Sequence, residues 1–367
     1  MIYLDYGATT PVDKEVLDTY IKTTNNFYAN ISSIHKLGQE SNYMYEVAKN
    51  DIKKTLGINH EIIFTSNATE ANNLGILGIA GKYKSGKIIT TKIEHPSVFN
   101  VIGHLEKQFE VVYLDVNEKG IIDLNQLEKE LTKDTIIVSV MWVNNIIGTV
   151  QPINKIIELM KDYPKAKLHV DTVQGLCKIV PNFNLNDIDL FTFSTHKIYG
   201  PKGIGGLFIK ENLELEKRLY GSPVQMGLKP GTMDLSLIVA TAKAFKKFFP
   251  IAQEHQNTVK VLWQKLYDSF SKNPKIVINT PTENISYYVF NFSIPNVQGE
   301  TVVHALEANE IFISTGSACS SKLKKPEKTV YAMTKNELLA TTSLRISLSH
   351  LVTLEEINKT IACINEI

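Results

Sequence analysis

The segment Phe191-Thr-Phe-Ser-Thr-His-Lys197-Ile-Tyr-Gly-Pro-Lys-Gly-Ile-Gly205 joins two predicted strands through a glycine-rich turn. The first strand ends at Ser194-Thr-His-Lys197, and the glycines that follow let the backbone approach a bound group closely. A lysine directly after a strand, beside small hydroxyls and a histidine, suits a lysine that forms a Schiff base next to a phosphate site. Taken alone, such a lysine is more often a solvated residue at the edge of a sheet.

Strands and helices alternate around this segment. The predicted strands cover residues 62–66, 87–91, 111–115, 135–141, 168–171, 188–193 and 204–209. Helical patterns lie between several of them, at residues 69–81, 97–107, 125–131 and 153–163. Because this order lacks hairpin turns, it predicts a mostly parallel sheet whose ligands bind beyond the carboxyl ends of the strands.

The pattern changes after Gly231. Two long helical patterns, at residues 234–248 and 251–271, lead into shorter strands and helices that are typical of an α+β domain. A length of 367 residues also suits two domains. We therefore predict a large domain over residues 16–249 and a small domain formed by residues 1–15 and 250–367.

Composition excludes several classes of protein. With 39 Lys+Arg against 38 Asp+Glu, the net charge of +1 argues against a nucleic-acid-binding face. No apolar run approaches the roughly 18 residues of a membrane span, and the amino terminus lacks the pattern of a secretory signal. Three scattered cysteines, Cys177, Cys319 and Cys363, are too few for a disulfide framework or a zinc site. These features predict a soluble, cytoplasmic protein without a metal centre.

Two further strand ends carry candidate ligands for a cofactor. Asp171, with Gln174 three residues later, could hold the protonated ring nitrogen of pyridoxal phosphate, or Asp171 could cap a helix. The small residues Ala68 and Thr69 stand where a strand passes into a helix, and the amino end of a helix attracts phosphate. Each signal is common, so neither decides the function by itself.

A histidine and an arginine complete the set of candidates. His95 follows the strand at residues 87–91 and could stack on a flat cofactor or shuttle protons. Only Arg218 and Arg345 among the 39 basic residues are arginine, which raises the question of whether a planar guanidinium is needed at either position.

Together and in this order, these segments resemble the cysteine desulfurases of the class V aminotransferase group, which use pyridoxal phosphate. The resemblance spans nearly the whole chain. It is carried by Leu4-Asp-Tyr-Gly-Ala-Thr-Thr-Pro11, Asn30-Ile-Ser-Ser-Ile-His-Lys-Leu-Gly38, Ala68-Thr-Glu70, Glu94-His95, Asn144-Asn145, His169-Val-Asp171 with Gln174, Ser194-Thr-His-Lys197, Gly231-Thr232, Gly316-Ser-Ala-Cys319 and Arg345-Ile-Ser347.

The resemblance implies a fold and a set of residue roles. The fold is that of a fold-type I pyridoxal-phosphate-dependent transferase, a homodimer whose large domain has a mostly parallel sheet flanked by helices. Lys197, Cys319 and His95 would be catalytic, with Cys319 the nucleophile on a loop of the small domain. Asn145 and Arg345 would bind the substrate. The implied cofactor contacts are Ala68, Thr69, His95, Asn145, Asp171, Gln174, Ser194, His196, Lys197 and, from a partner subunit, Thr232.

The implied reaction converts L-cysteine to L-alanine and leaves a persulfide on Cys319. Its sulfur would pass to an acceptor protein for iron–sulfur cluster assembly or tRNA thiolation. Three alternatives stay open: a selenocysteine lyase, another class V enzyme, and a degenerate homologue that only binds partners. A nicotinamide dehydrogenase is disfavoured because no strand is followed by Gly-x-Gly-x-x-Gly.

The surroundings of the cysteines and several departures from the family pattern lead to further expectations. The polar, Lys-rich stretch at residues 320–328 is predicted to be exposed and to favour a thiolate at Cys319. Cys177 and Cys363 are predicted to be inert thiols in helices. The departures, which bear on rate and substrate preference, are Ile31, Asn67, Ile146, Met226, Lys229 and Ser349.

Overall fold

The computed structural model describes residues 1–316 and 326–367, and its strands fall into three sheets. In chain order the strands are β1 (Ile2–Tyr3), β2 (Glu61–Thr65), β3 (Lys87–Thr91), β4 (Glu110–Leu114), β5 (Thr135–Met141), β6 (Lys167–Asp171), β7 (Leu190–Ser194), β8 (Gly205–Ile209), β9 (Val277–Ile278), β10 (Val289–Ser293), β11 (Ile311–Phe312), β12 (Ser314–Thr315) and β13 (Ser343–Ser347).

The helices lie between these strands. In chain order they are α1 (Lys14–Asn26), α2 (Lys36–Leu56), α3 (Ala68–Ala80), α4 (Pro96–Leu105), α5 (Leu124–Glu130), α6 (Ile153–Met160), α7 (Leu235–Phe248), α8 (Ala252–Phe270), α9 (Gly299–Glu307), α10 (Lys328–Thr334), α11 (Glu337–Thr341) and α12 (Leu354–Asn365). None of them, within the described ranges, is long and apolar enough to cross a membrane.

The largest sheet has seven strands in the order β2-β8-β7-β6-β5-β3-β4. The predicted mostly parallel sheet is confirmed, because six of these seven strands run in one direction and β8 alone runs in the opposite direction. The short glycine-rich turn between β7 and β8 explains this exception. Two adjacent parallel strands need a crossover of a dozen or more residues, whereas a turn of this length returns the chain antiparallel.

Alternating side chains of this sheet pack on its two faces. Phe64 and Phe208 point into the core beneath α2 and α7, while their chain neighbours Ile63 and Leu207 point into the core beneath α3 and α4. Since successive residues of a strand face opposite sides, strands buried between two helical layers are mostly apolar on both faces. The buried polar residues inside them, such as Ser139 and Thr192, are hydrogen-bonded.

A second core surrounds the four-stranded antiparallel sheet β12-β13-β10-β9. Leu4 from the amino-terminal segment joins Trp263, Phe290 and Leu344 in this core. β1 pairs in parallel with β11, and the backbone N–H of Ser347 donates to the carbonyl oxygen of Leu4 at 2.7 Å. We propose the division into residues 16–249 and residues 1–15 with 250–367 as two domains, which the separation of these cores supports.

The predicted elements begin at residue 62, whereas the structure has two helices before it. α1 is capped by Asp13, whose carboxylate accepts from the backbone N–H groups of Glu15 and Val16. α2 ends at Gly57, which has the left-handed φ of 67° that glycine adopts without strain. Both helices bury a narrow apolar stripe and are otherwise polar, so their hydrophobic pattern is weak in the sequence.

Candidate active site

The candidate site lies at the carboxyl ends of neighbouring parallel strands. β7 ends at Ser194 and continues into the short 3-10 turn Thr195–Lys197, while β6 ends at Asp171. His95 lies four residues beyond the end of β3. Parallel strands bring these ends to one edge of the sheet, where ligands bind in open α/β folds.

The Lys197 amine is held by the amino-terminal segment. Its Nζ donates to the carbonyl oxygens of Gly7 and Ala8, each at 2.6 Å. Burial, helped by the nearby Arg345 guanidinium, lowers the pKa of Lys197 to about 8. A lysine with this pKa is partly neutral near neutral pH, as a nucleophilic amine has to be.

Gly7 allows this segment to pass close to β13. A Cβ atom on Gly7 would lie 2.6 Å from the Ser347 hydroxyl oxygen and 3.6 Å from Cζ of Arg345. The prediction from sequence included the segment Leu4–Pro11 in the resemblance but assigned it no contact with Lys197. A glycine between Tyr6 and Ala8 was the available signal.

The Asp171 carboxylate is buried and held in place from two sides. Its Oδ1 accepts from the backbone N–H of Val173, and its Oδ2 accepts from Nδ2 of Asn72, both at 3.0 Å. An oriented, ionised carboxylate is the partner that a protonated pyridine nitrogen needs. Asn72 was not among the predicted site residues, although a fully buried asparagine in the apolar helix α3 was a possible signal.

Gln174 is oriented by a lysine that the sequence reasoning also missed. Its Oε1 accepts from Nζ of Lys178 at 2.6 Å, and its Nε2 donates to the carbonyl oxygen of Gly7 at 3.0 Å. Lys178 is 6% exposed, and burial together with the nearby charges of Lys197 and Arg345 lowers its pKa to about 7. Because the Lys178 amine donates to Oε1, the Gln174 amide presents its N–H groups to the other side.

The neighbouring Cys177 corrects one expectation. It lies in a turn with a positive φ of 61°, and not in a helix. Its thiol is buried, which raises its pKa, so the expected lack of reactivity has a physical cause even though the predicted helix is wrong.

The amino end of α3 offers a site for phosphate. Asn67 caps the helix by accepting from the backbone N–H of Glu70, and Ala68 is its first residue. Gly205 fits tightly behind this turn, since a Cβ there would lie 2.7 Å from the carbonyl carbon of Asn67 and 2.9 Å from the nitrogen of Ala68. Asn67, one of the departures from the family pattern, thus supplies the helix cap.

Two side chains after β7 match this phosphate site. The Ser194 hydroxyl is buried and has no hydrogen-bond partner among the described residues. Nδ1 of His196 lies 3.2 Å from the Thr9 hydroxyl oxygen. Burial, with the charge of Lys197, lowers the pKa of His196 to about 4, so this imidazole is neutral at pH 7. An unpartnered buried hydroxyl and a neutral imidazole suit an anionic ligand.

His95 begins α4 and borders a cavity of about 460 Å³ that Thr69 also lines. Its Nδ1 accepts from the backbone N–H of Ser97 at 3.2 Å and lies 2.8 Å from the Ser97 hydroxyl oxygen. Burial lowers its pKa, partly offset by Asp171. The ring is therefore fixed and neutral at the amino end of α4.

Arg345 approaches the site from the middle of β13. Its guanidinium donates to Oδ1 of Asp5 at 2.7 Å and to the backbone oxygen of Asn145 at 3.1 Å. Nε of Arg345 is buried and has no partner within the described part of the chain. The guanidinium is thus anchored but retains a donor for a carboxylate.

Thr232 is exposed and forms no hydrogen bond with the described residues, and Cys319 lies outside the described residues. The predicted exposed stretch at residues 320–328 is wrong at its end, because Glu327 is buried at the start of α10 and Lys328 is half-buried beside it. Lys229 forms an ion pair with Glu70 at 3.3 Å.

The family model for class-V aminotransferases matches residues 2–360. The chain belongs to this family. It is 39% identical over 367 residues to a cysteine desulfurase IscS of Neisseria meningitidis serogroup C, covering 97% of this chain and 89% of that one. A solved structure of a NifS-like protein is 32% identical, with a TM-score of 0.93 and coverage of 100% and 98%. SspA in complex with cysteine is also 32% identical, with a TM-score of 0.81 and coverage of 95% and 99%.

These comparisons confirm the resemblance to the cysteine desulfurases and the fold-type I architecture. As a member of the class-V aminotransferase family, this protein is a pyridoxal-phosphate-dependent enzyme. The site fits that cofactor, because it combines a partly neutral lysine, an oriented carboxylate and the amino end of a helix beside the Ser194 hydroxyl, which has no partner within residues 1–316 and 326–367.

Proposed function

We propose that this enzyme removes sulfur from L-cysteine, giving L-alanine and a persulfide on Cys319. The supporting observation is that one amino-terminal segment holds both Arg345, through Asp5, and Lys197, through Gly7 and Ala8. An amino acid carries its carboxylate and its amino group on one carbon. A guanidinium and a reactive lysine on the same short segment suit such a substrate.

Each residue of the candidate site has its own role in the proposed reaction. Bound pyridoxal phosphate supplies an electron sink for the bonds at the substrate's α-carbon. Asp171 would hold the proton on the ring nitrogen, Gln174 would donate to the ring hydroxyl oxygen, and Arg345 would bind the substrate carboxylate. Ala68, Thr69, Ser194 and His196 would hold the phosphate, His95 would border the ring, and Asn145 would border the substrate.

Lys197 moves protons, and Cys319 takes the sulfur. Because the Lys197 amine is partly neutral, it can accept the α-proton of the substrate. Once the carbon–sulfur bond is broken, its ammonium form can pass one proton to the β-carbon and, after taking up a second from solvent, another to the α-carbon. The Cys319 thiolate attacks the substrate's sulfur, so that a sulfur–sulfur bond forms while the carbon–sulfur bond breaks. The organic product leaves as alanine, and the enzyme retains the persulfide.

The proposed enzyme is a cytoplasmic homodimer that hands its sulfur to a protein. Thr232 is exposed, as a residue that serves the partner's site would be. Large apolar side chains are also strongly exposed on the single chain: Tyr28 at 78%, Ile34 at 92% and Tyr220 at 87%. The acceptor is an iron–sulfur scaffold or a tRNA-thiolating enzyme.

Replacing Cys319 with serine tests this function. The Cys319→Ser enzyme should keep its yellow cofactor and bind cysteine but form neither alanine nor persulfide, as followed by amino-acid analysis and mass spectrometry. Cys177→Ser and Cys363→Ser are the matched controls and should stay active, since Cys177 is buried and Cys363 lies half-buried in α12.

Full alanine production by Cys319→Ser would contradict the proposal and point to a lyase that needs no enzyme thiol. A wild-type enzyme that turns over selenocysteine but not cysteine would favour the selenocysteine lyase. A colourless protein that pyridoxal phosphate cannot reconstitute would favour a partner-binding homologue.

A further inference from the structure

A chain of hydrogen bonds links the Asp171 carboxylate to the imidazole of His95. Nδ2 of Asn72 donates to Oδ2 of Asp171 at 3.0 Å and to the hydroxyl oxygen of Ser97 at 2.8 Å. That hydroxyl oxygen lies 2.8 Å from Nδ1 of His95. Asn72 and Ser97 are buried, and neither is among the residues implied by the family resemblance.

The first link fixes the orientation of the Asn72 amide. An ionised carboxylate only accepts hydrogen bonds, so the amide must turn its NH₂ group toward Asp171. On the other side, the Thr192 hydroxyl donates to Oδ1 of Asn72 at 2.8 Å. Rotating the amide by half a turn would place two acceptors together at Asp171, which a fully buried side chain cannot relieve with water.

The second link fixes the proton of His95. The backbone N–H of Ser97 can only donate, and it points at Nδ1 of His95 at 3.2 Å. A proton on Nδ1 would therefore face another proton. The Ser97 hydroxyl oxygen accepts from Asn72, and the hydroxyl keeps a hydrogen that it can donate to the same Nδ1.

We propose that Asn72 and Ser97 are positioning residues that hold neutral His95 with its proton on Nε2. This inference rests on the proposed active site and refines the role of His95 within it. Two donors occupy Nδ1, and Nε2 forms no hydrogen bond within residues 1–316 and 326–367, so its N–H is available to a ligand.

A proton fixed on Nε2 decides between the two roles that the sequence left open for His95, stacking on a flat cofactor and shuttling protons. Nε2 already carries a proton and cannot accept another, while accepting one at Nδ1 would break the bonds from Ser97. His95 therefore donates a hydrogen bond toward the bound cofactor and substrate, and the base of the reaction is Lys197. Burial, which favours the neutral imidazole, is consistent with this assignment.

Nuclear magnetic resonance of the holoenzyme labelled with ¹⁵N-histidine tests the proposal. The chain has nine histidines, and the signals of His95 are identified by their loss in His95→Gln. Two-bond ¹H–¹⁵N correlations should show an unprotonated Nδ1 and a protonated Nε2 at pH 7. A protonated Nδ1, or an imidazolium at that pH, would overturn the assignment in the wild-type enzyme itself.

Variants test whether the network sets this tautomer. Ser97→Ala and Asn72→Leu each weaken the preference by about one neutral hydrogen bond, which lowers the tautomer ratio roughly two- to tenfold and moves the Nδ1 shift toward its protonated value. Asn73→Ala is the control, because Asn73 donates to the backbone oxygen of Ser97 and leaves its hydroxyl alone.

An unchanged Nδ1 shift in both Ser97→Ala and Asn72→Leu would remove the positioning role. If Asn72→Leu does not fold, Ser97→Ala decides the question. The tautomer is read on the histidine itself, so it stays measurable even if Lys197 does not hold the cofactor or no alanine forms. Failure of this inference and failure of the proposed function are therefore distinguishable.

Discussion

Lys178 is a buried cation with an amide as its hydrogen-bond partner. Its ammonium donates to Gln174, while the charges of Lys197 and Arg345 act against it and no carboxylate of the described residues pairs with it. Burying an uncompensated charge is unfavourable, which is why the pKa of Lys178 falls from 10.5 to about 7. This unfavourable burial occurs next to Gln174, the residue that we propose contacts the ring hydroxyl of the cofactor.

The lowered pKa of Lys178 predicts that the free energy of unfolding depends on pH. Between about pH 7 and 10 the unfolded chain binds a proton on Lys178 that the folded chain lacks, so this group's contribution to the free energy of unfolding rises with pH. Lys178→Met should remove a slope of up to about 1.4 kcal/mol per pH unit, measured by urea unfolding at pH 7, 8 and 9. Lys22→Met, at an exposed position of α1, should keep the wild-type slope. Equal slopes in all three proteins would contradict the prediction.

Sequence patterns could predict the site residues that directly follow strands. Lys197, Asp171 and His95 stand just beyond apolar runs, where the topology of a parallel sheet alone brings them together. Asn72 and Lys178 could not be found this way. Asn72 contacts Asp171 across 99 residues of chain, and the role of Lys178 depends on which direction the Gln174 amide faces after folding.

Among the elements, the amino end of α3 depends on the strand that packs behind it. β8 begins at Gly205, and the missing side chain there allows the strand to approach the turn at Asn67 and Ala68. The seven strands of the large sheet could be predicted within about two residues, because apolar runs of strand length mark them. The reversal of β8 was not predicted, because the strand's own residues carry no sign of direction. The length of the turn that precedes β8 was the available signal.

Gly205→Ala should therefore weaken cofactor binding. Its Cβ would lie 2.7 Å from the carbonyl carbon of Asn67, and relieving such a contact in a packed region costs about 1–3 kcal/mol. We expect roughly tenfold weaker binding of pyridoxal phosphate, measured by titrating the apoenzyme and following absorbance. Gly103→Ala in α4 is the control, because its nearest contact is the Tyr113 hydroxyl oxygen at 3.7 Å. Equal affinity in both variants would show that the turn does not form the phosphate site.

At the scale of the whole molecule, Thr232 is exposed and forms no hydrogen bond with the proposed phosphate site among the described residues of one chain. The segment before α7 leaves this threonine exposed, whereas the other described residues implied to bind phosphate gather around the end of β7 and the start of α3. Sequence reasoning took the dimer from the resemblance. A single chain has no pattern that reveals which of its exposed residues meet a second copy.

Mixed dimers can locate the site that Thr232 serves. Thr232→Val should weaken cofactor binding about tenfold or more, since a hydrogen bond to a charged group contributes about 1.5–3 kcal/mol. Dimers that pair a Lys197→Ala chain with a Thr232→Val chain should contain one intact site and recover up to half of the wild-type alanine production. If Thr232 acts within its own chain, the mixed dimers should show no recovery beyond the Thr232→Val activity.

The ion pair between Asp5 and Arg345 joins residues that lie 340 positions apart, and β1 is completed by β11. A ribosome releases the first of these partners at the start of synthesis and the second near its end. During that interval the nascent chain has no formed binding site for a substrate carboxylate. The segment that contains Gly7 and Ala8 is also not yet positioned to accept hydrogen bonds from Lys197. A nascent chain that has not yet reached Arg345 therefore lacks the proposed site for the substrate carboxylate and is expected to form no alanine from cysteine.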